Sequence, residues 1–243
     1  MKKIGLSLIV AMGLGSALMA GGDIEPVEDE PAVVESWSGF HLGLQFGGVW
    51  NGIDVDYDEL GGGYGTFTSP NMNVDGMVGG IYGGYNWLLE NDWLVGVDAE
   101  WNYSNADATA VIQNAVPGWE SVVEQNWDAA LQVKVGKIVE EYLFYATAGV
   151  AWGDFDLKAV NRLTNMTFDQ AGGYRMTGWT VGAGMEKELD EHFYARLQYR
   201  YTDYGSDVKR LADIPTMPPF PYYLDAKLES TSHMLTLGVS YRF

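Results

Sequence analysis

The chain contains no cysteine. That excludes a disulfide framework, a thiolate metal site, a cysteine nucleophile and a lipid anchor on an N-terminal cysteine of a processed chain. Positive charge is scarce: 14 Lys and Arg stand against 33 Asp and Glu in 243 residues. Lys2 and Lys3 are two of those 14, and every acid lies beyond residue 20, so the remainder carries 12 − 33 = −21. Such a chain repels phosphates, which argues against nucleic acid and against anionic headgroups without bridging divalent cations. Beyond residue 20 no apolar run approaches the ~18 to 20 residues that a transmembrane helix needs.

What is present falls into three parts. Lys2 and Lys3, the apolar run Ile4 to Met19 and the small residues Ala20, Gly21 and Gly22 have the form of a secretory signal. Residues 1–20 are read as that signal, with cleavage after Ala20 or Gly22 left open. Residues 21–36 hold Pro26, Pro31 and six acids (Asp23, Glu25, Glu28, Asp29, Glu30, Glu35) and read as an acidic periplasmic lead-in. From Trp37 onward the period is two, in a composition rich in Gly (31), Tyr (15) and Trp (9), which favours strands over helices.

Eight segments carry that alternation. In the last, His233, Leu235, Leu237, Val239, Tyr241 and Phe243 form an apolar face against Met234, Thr236, Gly238, Ser240 and Arg242. The same pattern recurs from Phe40 to Gly47, Trp93 to Tyr103, Trp127 to Gly136, Trp179 to Glu186 and Phe193 to Thr202. Two segments are less regular. In Met77–Trp87, Ile81, Tyr85 and Trp87 are placed outward; in Leu143–Trp152, Phe144, Ala146, Ala148, Val150 and Trp152 are. The connections Leu88–Asp92, Lys137–Tyr142 and Lys187–His192 are short, whereas Asn51–Val74, Ser104–Val122, Asp154–Gly173 and Asp203–Leu228 read as long loops. An even strand number with alternating short and long connections predicts an all-β fold, an eight-stranded antiparallel transmembrane β-barrel over residues 37–243. A closed sheet pairs every backbone donor and acceptor in lipid, and aromatics at the strand ends belong at the two interfaces.

Trp37-Ser-Gly-Phe-His-Leu-Gly, Gly84-Tyr-Asn-Trp, Gly178-Trp-Thr-Val-Gly-Ala-Gly-Met-Glu and the ending Leu237-Gly-Val-Ser-Tyr-Arg-Phe243 carry a family resemblance. Together they resemble the small, porin-like outer-membrane β-barrel family that includes the OmpA membrane domain and opacity-type surface proteins. The resemblance implies residence in the outer membrane of a Gram-negative bacterium, among lipid and lipopolysaccharide. It also implies that Leu237, Val239, Tyr241 and Phe243 form the signal read by the outer-membrane assembly machinery.

An eight-stranded barrel is narrow enough for side chains to fill. The alternation points four acids (Asp98, Glu100, Asp128, Glu186) and four bases (Lys134, Arg196, Arg200, Arg242) inward, joined by Gln45, Gln132, Gln198 and His41. Equal numbers of opposite charge suggest an internal ion-pair network that plugs the lumen, with a narrow gated pore as the alternative. Asp54-x-Asp56-x-Asp58 has the spacing of a calcium loop, but Glu59 stands where that motif needs glycine and Gly65 where it needs a bidentate Glu, so no metal site is assigned. Only His41, His192 and His233 could serve as a catalytic base; Ser232 and His233 are adjacent and on a strand face opposite ways. Neither enzymatic activity nor a cofactor is expected. The fourth loop, with Pro215, Pro218, Pro219, Pro221, Phe220, Tyr222 and Tyr223, is stiff and aromatic, and reads as a cover over the barrel mouth or an adhesive tip. The expected role is structural or surface-interacting. A narrow porin and an adhesin binding an extracellular ligand through its loops are the alternatives, and the oligomeric state is left open.

Overall fold

A computed structural model of the chain describes residues 37–60, 66–115, 117–169, 173–214 and 222–243. Residues 1–36, with the signal and lead-in, and residues 215–221, with the proline-rich tip, lie outside the described residues. The remainder is almost wholly strand: β1 (Gly39–Leu60), β2 (Thr66–Leu88), β3 (Trp93–Val111), β4 (Trp119–Val139), β5 (Tyr142–Asn161), β6 (Met166–Asp169), β7 (Tyr174–Asp190), β8 (Phe193–Ile214) and β9 (Tyr222–Arg242). Eight of them form a closed antiparallel ring in the order β1–β2–β3–β4–β5–β7–β8–β9, with β9 returning to β1. The short β6 pairs with β5 only and is one strand more than the sequence suggested.

The outer face of the ring is apolar where a membrane would touch it. Along β1, Phe40, Leu42, Leu44, Phe46 and Trp50 point outward, and Leu44 and Phe46 are 69% and 61% exposed. Large apolar side chains exposed in such continuous rows belong in hydrocarbon, not water. The ten residue steps of tilted strand from Phe40 to Trp50 rise about 25 Å, the height of the apolar band of outer-membrane barrels. The assigned outward faces of the two irregular segments agree: Ile81, Trp87, Phe144, Val150 and Trp152 are all exposed.

The expected long loops are a correction. Their described residues continue the strands, which run 17 to 23 residues in the eight ring members, about twice the ~9 to 11 that a tilted crossing needs. The reason is that the alternation does not stop at the interface; it changes sign. Below Trp50, β1 turns apolar residues out and polar ones in. Above it, Ile53, Val55 and Tyr57 are buried inside, while Asp54 and Asp58 face outward. The same inversion puts Val123, Phe155, Leu157, Tyr174, Tyr204, Ala226 and Leu228 in one buried apolar cluster.

This upper part is a two-sheet head in place of a continued cylinder. Ladder pairing between β2 and β3 ends at Asp75 and Asp107, apart from one bridge between Thr68 and Gln113. Pairing between β7 and β8 ends at Trp179 and Asp203. One sheet is then β2–β1–β9–β8, and β3–β4–β5 is the other, with β6 and the Tyr174–Gly178 part of β7 both paired to β5. Their inner faces meet on the apolar cluster and are tied by hydrogen bonds. The Tyr57 and Ser121 hydroxyls lie 2.6 Å apart, Asn51 donates to Gln125 Oε1 at 2.5 Å, and the Tyr174 hydroxyl donates to the Ala226 carbonyl at 3.1 Å. Burial in this core pushes the Tyr57 phenol up to about 12.

Candidate functional site

The lumen is built by the inward face of each strand, and it is layered. At the end with the short turns, Trp37, Leu94, Ile138, Leu143, Tyr145 and Tyr194 form a buried apolar cluster. Trp37 precedes β1 and turns into the barrel mouth. Its ring meets that of Tyr194 edge-on at 4.9 Å, and the Ser38 hydroxyl donates to the Asn86 carbonyl at 3.2 Å. At the opposite end sits the head core described above. Between the two apolar layers lie the charged residues.

All eight charged side chains assigned inward from the sequence are buried there, and the structure brings them into one chain of alternating sign. Arg200 joins Asp128 through a short contact and Glu100 at 2.6 Å. Arg196 lies 3.0 Å from Glu100 and 3.8 Å from Asp98. Lys134 lies 3.0 Å from Asp98 and 3.2 Å from Glu186, and Arg242 ends the series 3.2 Å from Glu186. Each interior charge therefore has a neighbour of opposite sign on both sides. This satisfies the requirement for tolerating ions in a low-dielectric wall.

Neutral groups complete the network. Gln132 and Gln45 donate to the two oxygens of Glu100 at 2.6 and 3.1 Å, and Arg196 donates to Gln45 Oε1 at 2.7 Å. The Tyr145 hydroxyl donates to Gln198 Oε1 at 2.9 Å. His41 Nε2 stands 3.2 Å from Asp98 Oδ1. Guanidinium groups also lie over aromatic faces: Arg196 is 3.7 Å from the Tyr82 ring centre and Arg242 is 3.9 Å from that of Tyr194.

Sequence reasoning missed the aromatic members Trp37, Tyr82 and Tyr194. Glycine supplies a signal for Tyr82. A Cβ on Gly43 or Gly238 would come within 2.7 or 2.8 Å of its ring, so inward glycines on neighbouring strands make the space it fills. Of the proposed assembly residues, Leu237, Val239, Tyr241 and Phe243 all face outward in the lipid band, on a strand paired to both β1 and β8. The three acids of the calcium-like spacing are not gathered round one point. They alternate along the extended β1, and Asp54 Oδ1 accepts the Asn71 backbone N–H at 2.6 Å. The histidines are apart: His41 inside, His192 beside the Tyr241 ring, and His233 outside with Nδ1 2.7 Å from the Tyr199 hydroxyl.

A closed antiparallel ring with an apolar outer band, aromatic rows at both edges and an ion-paired interior defines an integral β-barrel of the Gram-negative outer membrane. The chain belongs to the outer membrane protein beta-barrel domain family, whose model matches residues 30–243. It is 28% identical over 264 aligned positions to the 31 kDa outer-membrane immunogenic protein of Brucella melitensis, covering 100% of both chains. It is 31% identical over 182 positions to the 25 kDa outer-membrane immunogenic protein of Brucella abortus, covering 74% of this chain and 71% of that one. Among solved structures, the outer membrane protein OprG from Pseudomonas aeruginosa shares the fold, with a TM-score of 0.55 at 13% identity over 85% of this chain and 97% of that chain.

Proposed function

We propose that this protein is a structural barrel with an occluded lumen that carries a β-sandwich head above the outer leaflet. The observation that supports this reading is the layering of the lumen. A neutral, fully alternating series of eight charges lies between two apolar clusters, one capped by Trp37 and the other continuous with the head core. A conducting pore needs a continuous wet path. Here each fixed charge is bonded to another fixed charge and the ends are apolar. The barrel serves the envelope by its presence in the lipid and by what its head presents outside. Relatives called immunogenic accord with a head exposed at the cell surface.

The remaining parts follow the same reading. Residues 1–20 direct export, residues 21–36 lie in the periplasm, and the outward row Leu237, Val239, Tyr241 and Phe243 is the face presented to the assembly machinery. Lipopolysaccharide surrounds the upper half of the band. The histidines have other occupations than catalysis, with His41 held by Asp98 and His233 beside Tyr199. The test is single-channel recording of the refolded processed chain in a planar bilayer, with heat-shifted gel mobility to establish folding. A folded, electrically silent barrel is expected. Reproducible openings in the folded protein would replace this reading with that of a narrow porin.

A further inference from the structure

Of the twelve Lys and Arg beyond residue 20, four fill the lumen and six stand on the head (Lys158, Arg162, Arg175, Lys209, Arg210, Lys227). The other two, Lys137 and Lys187, lie on the outer wall at the end with the short turns, and both flank β5. Lys137 of β4 pairs with Phe144, and Lys187 of β7 pairs with Tyr142. The Tyr142 and Phe144 ring centres are 6.3 Å apart, and Phe144 is 51% exposed. Each ammonium lies at an aromatic face: Lys137 Nζ is 5.6 Å from the centre of the Trp93 ring, and Lys187 Nζ is 5.2 Å from that of Tyr142. Lysines in an interfacial aromatic belt lay their stems on the apolar wall and carry their charge to headgroup level.

Neither ammonium is locked to a carboxylate. Lys137 donates to the Asn91 carbonyl at 3.2 Å, a neutral acceptor. Lys187 has Glu141 at 3.7 Å, a loose pair with side chains 40% and 67% exposed. An ammonium has three N–H donors, so both lysines keep donors to offer. One step further from the lipid the sign reverses. The β4–β5 turn is Glu140 and Glu141, and the turns on either side carry Glu90 with Asp92 and Asp190 with Glu191, all exposed. The wall therefore presents a cationic level at the aromatic belt and an anionic level beyond it. A purely anionic headgroup is attracted by the first level and repelled by the second. A headgroup with its phosphate near the lipid and a primary ammonium farther out complements both.

We infer that this corner of the barrel binds a phosphatidylethanolamine of the inner leaflet. Its phosphate sits between Lys137 and Lys187, its ammonium meets Glu140 and Glu141, and its first acyl methylenes lie against Phe144. β4 and β7 are about 10 Å apart across β5, a gap that two lysine side chains close onto one phosphate. Phospholipid is the class of ligand at this end because the short turns of such barrels face the periplasm. The site lies wholly on the outer wall and is independent of whether the lumen conducts.

The test uses the full processed chain refolded in detergent micelles and equilibrated with equal amounts of phosphatidylethanolamine, phosphatidylglycerol and phosphatidylcholine of identical acyl chains. Native mass spectrometry reads the lipid retained, and heat-shifted mobility establishes folding. A preference of about fivefold or more for phosphatidylethanolamine over each of the others is expected. Phosphatidylcholine shares the phosphate, but its quaternary ammonium has no N–H to donate, so it isolates the part played by the acids. The double variant Lys137→Gln, Lys187→Gln should lower phosphatidylethanolamine retention by about fivefold or more. The double variant Glu140→Gln, Glu141→Gln should erase its advantage over phosphatidylcholine and raise phosphatidylglycerol, and it carries the test should the lysine variant fail the folding control. Equal retention of the three lipids would overturn the proposal. A wild-type preference for phosphatidylglycerol, or wild-type retention in both folded double variants, would overturn it as well.

Discussion

Asp128 ends the chain of lumen charges, so removing it together with Arg200 leaves the other six in strict alternation: Glu100, Arg196, Asp98, Lys134, Glu186, Arg242. Removing either one alone does not. Asp128→Asn leaves Arg200 with Glu100 as its remaining carboxylate partner at 2.6 Å, and the lumen gains a net positive charge that arginine cannot shed. Arg200→Met strips Asp128 of its cation and Glu100 of one of two. Breaking a buried pair on one side costs about 3 to 5 kcal/mol, with Asp128→Asn expected near the lower figure and Arg200→Met near the upper. The double variant should cost at least ~2 kcal/mol less than the two singles added, because neutrality is restored. The assay is urea unfolding in lipid vesicles, followed by tryptophan fluorescence and by heat-shifted mobility. Single variants within ~0.5 kcal/mol of wild type, adding to the double within the same margin, would refute the reasoning. Each charge would then be individually hydrated, and the lumen would be wet.

Trp37→Ala should lower unfolding stability by about 3 to 5 kcal/mol, since it empties a fully buried site against Tyr194 and Arg242; a midpoint unchanged in the same urea titration would show that the periplasmic cap is dispensable. Phe155→Ala, in the head core, should make the head sensitive to protease while the lipid-embedded part stays protected, read as a stable membrane fragment on gels. Head stability should also fall as pH climbs from about 10 toward 12, because the unfolded chain releases the Tyr57 proton before the folded one does; circular dichroism across that window measures it. Deleting Phe243, whose side chain is 74% exposed in the lipid band, should leave refolded stability within ~1 kcal/mol yet sharply reduce the folded fraction in cells. Equal surface levels in cells would refute the proposal that it is part of an assembly signal.

Much of the barrel was legible because lipid and lumen impose opposite demands at a period of two. Asp98 and Glu100 alternate with Val97, Ala99 and Trp101, and that pattern alone places them inside. The head was not legible by the same rule. Ile53, Val55 and Tyr57 alternate with Asp54, Asp56 and Asp58 just as regularly, but with the apolar side turned inward. A search for outward apolar rows reads that stretch as loop. Bulges compound the difficulty: the register shift between Gln125 and Trp127 puts Gln125 and Asp128 on the same inner face despite their opposite parity. Trp37 stands before Phe40, where the first regular alternating segment begins, and shares the parity of the inward His41 and Gln45 without a polar side chain to mark it as a lumen residue. The two-sheet division depends on where ladders stop, at Asp75 with Asp107 and at Trp179 with Asp203, which is a property of pairing between distant segments.

The reversal of sidedness at the upper aromatic row has a mechanical consequence. A barrel whose outer face were apolar along its whole length could ride up or down in the bilayer at little cost. Here, sinking by one rung would draw Asp54, Asp75, Asp203 and Glu229 toward hydrocarbon, at a depth-dependent cost of up to ~1 kcal/mol for each charge near the interface. Rising by one rung would lift the exposed Trp50 and Trp179 out of the upper edge of the band into the outer headgroups. The protein thus has a preferred waterline, and displacement of the proposed head along the membrane normal is opposed in both directions.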